Sequence, residues 1–147
     1  MKQRKATERT KKGKPLRQIA ALPYRRTVSG EIDLLILTSR TTGRFIIPKG
    51  WPKKSRADYE AAAKEAKQEA GVTGDVMQEP FGSYQYWKRM RTAFVPVTVT
   101  VYPLSVTADL PDWRERKQRL RRWMAREEAI QLIDEPELVS LISQFHA

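Results

Sequence analysis

Cysteine is absent from the 147 residues, and the single histidine, His146, stands next to last. Disulfides and thiolate chemistry are thereby excluded. A histidine-built zinc site or a catalytic triad lacks its parts. Metal chemistry falls to oxygen donors, which favour Mg²⁺, Mn²⁺ or Ca²⁺. No apolar run approaches the ~18–20 residues of a membrane span. The basic start lacks the apolar stretch of a signal peptide, so the cytoplasm is the expected compartment. Acid is scarce as well: 17 Asp and Glu face 28 Lys and Arg, a formal charge of +11. Such an excess points to polyanionic partners. Residues 1–14 carry Lys2, Arg4, Lys5, Arg9, Lys11, Lys12 and Lys14 against Glu8 alone. That stretch is expected to be a disordered arm, able to make weak nucleic-acid contacts. Residues 15–147 are expected to form one domain with a real core.

Leu16–Tyr24 and the nearly continuous apolar run Ile32–Thr38 predict strands, the second buried on both faces. Thr27–Glu31 predicts a turn. Arg44–Pro48 predicts a short strand closed by a Pro48-Lys49-Gly50 turn. Ala57–Ala70 predicts a helix, with Gly71 placed to stop it. Ser83–Met90 alternates aromatic and polar residues, and Ala93–Leu104 is rich in Val, Thr and Tyr; both predict strands. Pro96 and Pro103 predict an edge position or a bulge for the second of these. Pro111–Lys117 predicts a charged loop and Gln118–Met124 a strand. Arg126–Ile133 and Pro136–Phe145 predict helices. The order implies one α+β or layered α/β domain.

On the central helix each residue turns by about 100°. With Glu65 as zero, Glu69 falls at about +40° and Gln68 at about −60°. Tyr59, Ala63, Ala66 and Ala70 form the expected apolar stripe. Glu60, Lys64 and Lys67 point to solvent, with a Glu60–Lys64 pair in reach. Two neighbouring carboxylates repel by a few tenths of a kcal/mol, which a bound cation would remove. Spacing alone favours an ordinary solvated face of Glu and Lys.

Gly50-Trp-Pro-Lys-Lys-Ser-Arg through Glu65, Glu69 and Gly71-Val72 resembles the Nudix box, G-x5-E-x7-R-E-U-x-E-E-x-G-U. Gly50, Glu65, Glu69, Gly71 and Val72 match it, and Ala66 holds the aliphatic site. Arg56 stands in place of a glutamate, Lys64 in place of the arginine, and Gln68 in place of one glutamate of the Glu-Glu pair. The likeness extends from Arg17 to Phe145. Arg17–Tyr24, Leu34–Arg40, the Phe45-Ile-Ile-Pro-Lys-Gly50 segment, Trp113 and Arg121–Ala129 resemble the diphosphoinositol polyphosphate phosphohydrolase type. The resemblance implies an α/β/α sandwich with a mixed sheet and a loop-helix-loop box. It implies a hydrolase that uses Mg²⁺ or Mn²⁺ to cleave a diphosphate linkage in a phosphate-rich small molecule. Carried over by position, Glu65 and Glu69 are the metal-ligating and catalytic residues. Gly50, through its carbonyl, and Gln68 are further ligands. One missing carboxylate implies reduced activity. The alternative is a non-catalytic Nudix-fold binder of nucleotide or RNA.

Five cations are candidates for binding substrate phosphate: Arg17, Arg40, Lys49, Lys88 and Arg89. Lys53 and Arg91 lie close by in sequence. Lys88, Arg89 and Arg91 are expected in a turn. Tyr84, Tyr86 and Trp87 could stack on a base or pack in a core. Glu79 and Glu115 are candidates for distant ligands or bases.

Overall fold

Two runs of apolar side chains, pointing to opposite faces of one sheet, organise the chain. In a computed structural model, which describes residues 16–146, Leu16, Ala20 and Leu22 face one layer of core while Ile19 and Ala21 face another. Leu34 and Ile36 alternate with Leu35 and Leu37 in the same way. A strand segment buried on both faces reads as a continuous apolar run, as residues 19–22 and 34–37 do.

The strands are β1 (Leu16–Arg26), β2 (Ile32–Thr38), β3 (Phe45–Ile46), β4 (Lys49–Gly50), β5 (Val72–Val76), β6 (Gly82–Arg89), β7 (Phe94–Asp109) and β8 (Arg121–Ala125). They form one mixed sheet with the path β3-β2-β1-β7-β5; β4 joins β1, β6 joins β7 and β8 joins β2. The β1–β7 pair is parallel, from Leu16↔Val97 to Tyr24↔Ser105, and the other pairs are antiparallel. One face carries helix α1 (Asp58–Glu65) and its π-helical continuation Ala66–Ala70. The other carries α2 (Arg126–Leu132) and α3 (Pro136–Ser143). The expected α/β/α sandwich with a mixed sheet is the observed architecture. Among the described residues no helix is long and apolar enough to cross a membrane. The basic arm of residues 1–14 lies outside the described residues.

Several local expectations change. Lys49 and Gly50 do not turn; they pair with Ala20 and Ile19 as a two-residue strand. Beyond them β1 pairs with β2 only at Tyr24–Arg26, so the two strands diverge and β4 fills the gap. The strand β5 was not expected from the sequence. β7 is central rather than an edge. Its prolines fall where a backbone donor is not needed. Pro103 sits where β7 changes partner from β6, ending at Val101, to β5, starting at Leu104. Its carbonyl still accepts from the Met77 amide. Pro96 precedes the first rung with β1 at Val97. The bulge lies elsewhere, in β5 between Thr73 and Gly74.

The predicted helix over Ala57–Ala70 is α-helical only to Glu65. Asp58 and Glu60 populate its first turn, and the Glu60 carboxylate accepts the Ala57 amide. Glu60 is therefore engaged as a cap, and no Glu60–Lys64 ion pair forms among the described residues. The buried stripe is Ala61, Ala62, Ala66, Glu69 and Ala70, while Tyr59 and Ala63 are half-buried. Small side chains let this helix lie close to the sheet, and the stripe runs nearer Glu69 than a regular helix predicts. Gly71 adopts φ 68° and its amide closes on the Lys67 carbonyl, the left-handed stop expected of it.

Candidate active site

Where β1 diverges from β2 a pocket of about 400 Å³ opens. β4 forms its floor, the last turn of α1 and the π segment form one wall, and the loop between β7 and β8 forms another. Gly50 explains why Glu65 reaches this place. A Cβ on Gly50 would lie 2.5 Å from Glu65 Cδ, so only glycine leaves the carboxylate room.

Glu69 sits one wider turn along and is buried, 6% exposed. The Lys49 amide donates to its Oε1 at 3.3 Å, and Arg119 Nη2 lies 3.8 Å from the same oxygen. Its carboxyl is pushed up to about 8. Burial is the main cause, followed by a hydrogen bond with Glu65; Arg119 pulls the other way, and the charges of Glu65 and Glu115 add to the rise. Burial and the neighbouring Glu65 carboxyl thus favour the protonated form of Glu69. A divalent cation would take that proton's place.

Arg119 is the buried cation of the site, its side chain 8% exposed. Nε donates to Glu115 Oε1 at 2.9 Å and Nη1 to the Thr38 carbonyl at 3.1 Å. Glu115 is reached also by Arg40 Nε, at 3.9 Å. The π segment's C-terminal carbonyls would otherwise be orphans. Gln68 accepts the Glu115 amide, Gly71 accepts the Leu110 amide, and Ala70 accepts Arg121 Nη1 at 2.7 Å. These bonds fasten the loop to the helix end and carry Glu115 and Arg119 into the pocket.

Lys49 enters from the opposite face of the sheet. Its Nζ lies 5.0 Å from the Tyr86 ring centre. Burial lowers its pKa, against the raising pull of Glu135 and Glu69. Tyr86 donates to the buried Gln18 Oε1 at 2.6 Å. Lys88, also lowered by burial and then by Arg40, lines the same pocket.

Of the sequence candidates, the pocket collects Glu65, Glu69, Gly50, Arg40, Lys49, Lys88, Lys53 and Glu115. Three stand elsewhere. Arg17 projects from the face of β1 turned to α1 and is held by Asp58 at 2.7 Å. Arg89 ends β6 on the exposed side. Gln68 lines a separate cavity on the outward side of α1. Its displacement follows from the π-helical bond spacing, which turns each residue through less than 100°. Three residues on from Glu65, Gln68 is carried farther from it. Lys88 and Arg89 are strand residues of β6 rather than part of a turn. Tyr84 is core, 1% exposed, whereas Trp87 is 67% exposed beside another cavity. Glu79 is exposed and lines none of these cavities. Arg119, Gln18 and Trp51 were not singled out from sequence; a buried arginine in a run of exposed ones carries no local signal.

All donors here are oxygen atoms, which suits a hard divalent cation. Among the described residues no cluster of three or more acidic or histidine side chains forms a ready-made cage. Two carboxylates beside a glycine backbone fit an ion whose remaining coordination is completed by phosphate and water.

Residues 16–145 match the family model described as NUDIX domain. The chain belongs to the NUDIX domain family. It is 32% identical over 106 residues to Nudix hydrolase 12, mitochondrial, of Arabidopsis thaliana, covering 69% of this chain and 52% of that protein. It is 30% identical over 119 residues to diphosphoinositol polyphosphate phosphohydrolase 2 of Rattus norvegicus, covering 80% and 62%. The chain thus spans roughly half to three-fifths of those relatives. Among solved structures, a C. elegans Ap4A hydrolase binary complex superposes with TM-score 0.64 at 22% identity, covering 87% of this chain and 93% of that one. The NUDIX domain of Shewanella oneidensis NrtR, complexed with ADP ribose, gives TM-score 0.64 at 10% identity, covering 88% and 87%. At these identities the two structures speak for the fold.

Proposed function

We propose that this chain is a metal-dependent hydrolase that cleaves a diphosphate linkage in a phosphate-rich small molecule. The substrate class comprises nucleoside diphosphates linked to a further group, dinucleoside polyphosphates and diphosphoinositol polyphosphates. One observation carries the reading: the adjoining carboxyls of Glu65 and Glu69, set against Gly50, face a pocket rimmed by Arg40, Lys49, Lys53, Lys88 and Arg119. Acids that bind metal and cations that bind phosphate meet in one cavity.

Mg²⁺ or Mn²⁺, held by Glu65, Glu69 and the Gly50 backbone carbonyl, would neutralise charge on the phosphate under attack. Arg40, Lys49 and Lys88 hold phosphate oxygens, with Arg40 offering a fork and the lysines point charges. Arg17 and Arg89, placed outside the pocket, drop out of that set. Glu69, once ionised, accepts the proton of the attacking water. Arg119 fixes both Glu69 and Glu115 and supports their charge.

The test is product analysis with Mn²⁺ and Mg²⁺ on a dinucleoside polyphosphate and a diphosphoinositol polyphosphate, in ¹⁸O-labelled water. Label in one phosphate product supports the reading. Tight binding with no release of product supports the non-catalytic binder instead.

A further inference from the structure

A cavity of about 680 Å³ lies on the outward side of α1, away from the Glu65–Glu69 pocket. Its volume falls in the range of small-molecule sites. Arg56, Lys64 and Lys67 line it from the helix and the loop before it, and Arg114 lines it from the β7–β8 loop. Among the described residues none of these four cations has an ion pair. Two acids border the cavity, but Glu60 caps the Ala57 amide and Asp112 takes the Trp113 amide and Arg116. Four positive charges thus face two carboxylates on this surface, an excess of two, and neither carboxylate is ion-paired with any of the four.

Beneath them the lining is apolar. Val76, Leu110 and Ala63 supply it, and Gly74, at the β5 bulge, adds no side chain. A cationic rim over an apolar floor fits an anion with a flat, weakly polar body better than a bare inorganic ion. The three positions at which the loop-helix-loop departs from the Nudix pattern, Arg56, Lys64 and Gln68, all line this cavity. In place of two acids and a forked arginine the chain presents an arginine, a lysine and an amide. Two negative charges are removed and one positive charge is gained on a single concave surface.

We propose that this cavity is a second binding site, for a nucleotide or a similar phosphorylated small molecule. The phosphates lie among Arg56, Lys64, Lys67 and Arg114, and the base lies over Val76 and Leu110. The site is separate from the proposed hydrolytic pocket and stands whether or not that pocket turns over substrate. The same loop serves both: Arg114 lines this cavity, and the next residue, Glu115, lines the other while its amide bonds the Gln68 carbonyl.

The test is an NMR titration of the full chain with ADP in EDTA, reading the amides of Thr73, Gly74 and Arg114. The expected result is saturable shifts at those amides. They should weaken at least about tenfold in the Lys64→Glu/Arg114→Glu variant, through like-charge repulsion, while responses at Lys49 and Gly50 match wild type. If that variant fails to fold, Arg56→Ala/Lys67→Ala, at two exposed positions, is read the same way. Unmoved amides at millimolar ADP, or shifts indifferent to either variant, would overturn the site. Pyrophosphate binding as tightly as ADP would overturn the role given to the apolar floor.

Discussion

Gly50 and Glu65 touch so closely that a single methyl group on Gly50 would lie 2.5 Å from Glu65 Cδ. The glycine is therefore part of the site's geometry. Gly50→Ala should push the carboxylate out of the pocket rather than break the fold, because the obstructing atoms end a flexible side chain. We expect Mn²⁺ affinity to fall at least about tenfold, as when a ligand's support is removed. Stability should change by only about 1 kcal/mol. Calorimetric Mn²⁺ titration and urea unfolding read the two separately.

Glu69 gives a pH dependence of definite sign. Its carboxyl is raised from 4.5 to about 8 in the folded chain, chiefly by burial. The folded state therefore holds a proton that the unfolded state has released, and stability falls as pH rises between those values. Unfolding in EDTA should show this loss from pH 5 to pH 8, and Glu69→Gln should flatten the curve. Metal binding has the opposite slope, because the proton must leave first. Mn²⁺ affinity should rise with pH up to about 8 and then level off.

Arg119 carries two acids at once, at 2.9 Å from Glu115 and 3.8 Å from Glu69. Removing it leaves both in a poorly solvated place. Arg119→Ala should cost about 3 kcal/mol, the scale seen when one partner of a buried pair is deleted. Arg119→Lys should recover only part of this, since lysine lacks the fork that reaches Glu115 and the Thr38 carbonyl together. Urea midpoints at pH 7 check both.

Gln68 faces the outward cavity, not the Glu65–Glu69 pocket. Gln68→Glu should therefore change the Mn²⁺ concentration for half-maximal turnover by less than about threefold, a small fraction of what losing a direct ligand costs. A large sharpening of metal dependence would show that the side chain swings into the pocket after all.

Most of the layered fold was legible in the residues. The apolar residues of β1 announced a strand, the nearly continuous apolar run of β2 announced one buried on both faces, and Gly71 announced the helix stop. The two glutamates were legible too, because four residues of separation keeps Glu65 and Glu69 adjacent in either helical form. What failed was set by distant partners. Lys49-Gly50 looked like a turn because proline and glycine flank the lysine, yet Ile19 and Ala20 recruit the pair as a strand. Gln68 was misplaced because a π-helical segment leaves no mark in the sequence. The prolines of β7 suggested an edge, but the gaps between its partners absorb them. Arg119 went unseen because its burial depends on a loop anchored by carbonyls at the end of the π segment.

The central claim is that Glu65 and Glu69 hold the metal on which hydrolysis depends. A crystal soaked with Mn²⁺ and a non-hydrolysable dinucleotide polyphosphate, with data collected at the manganese edge, tests it most directly. The expected result is an anomalous peak ligated by carboxylate oxygens of Glu65 and Glu69, with phosphate oxygens completing its shell beside Gly50. Manganese bound away from both glutamates, in an enzyme that still cleaves the hydrolysable substrate, would contradict it.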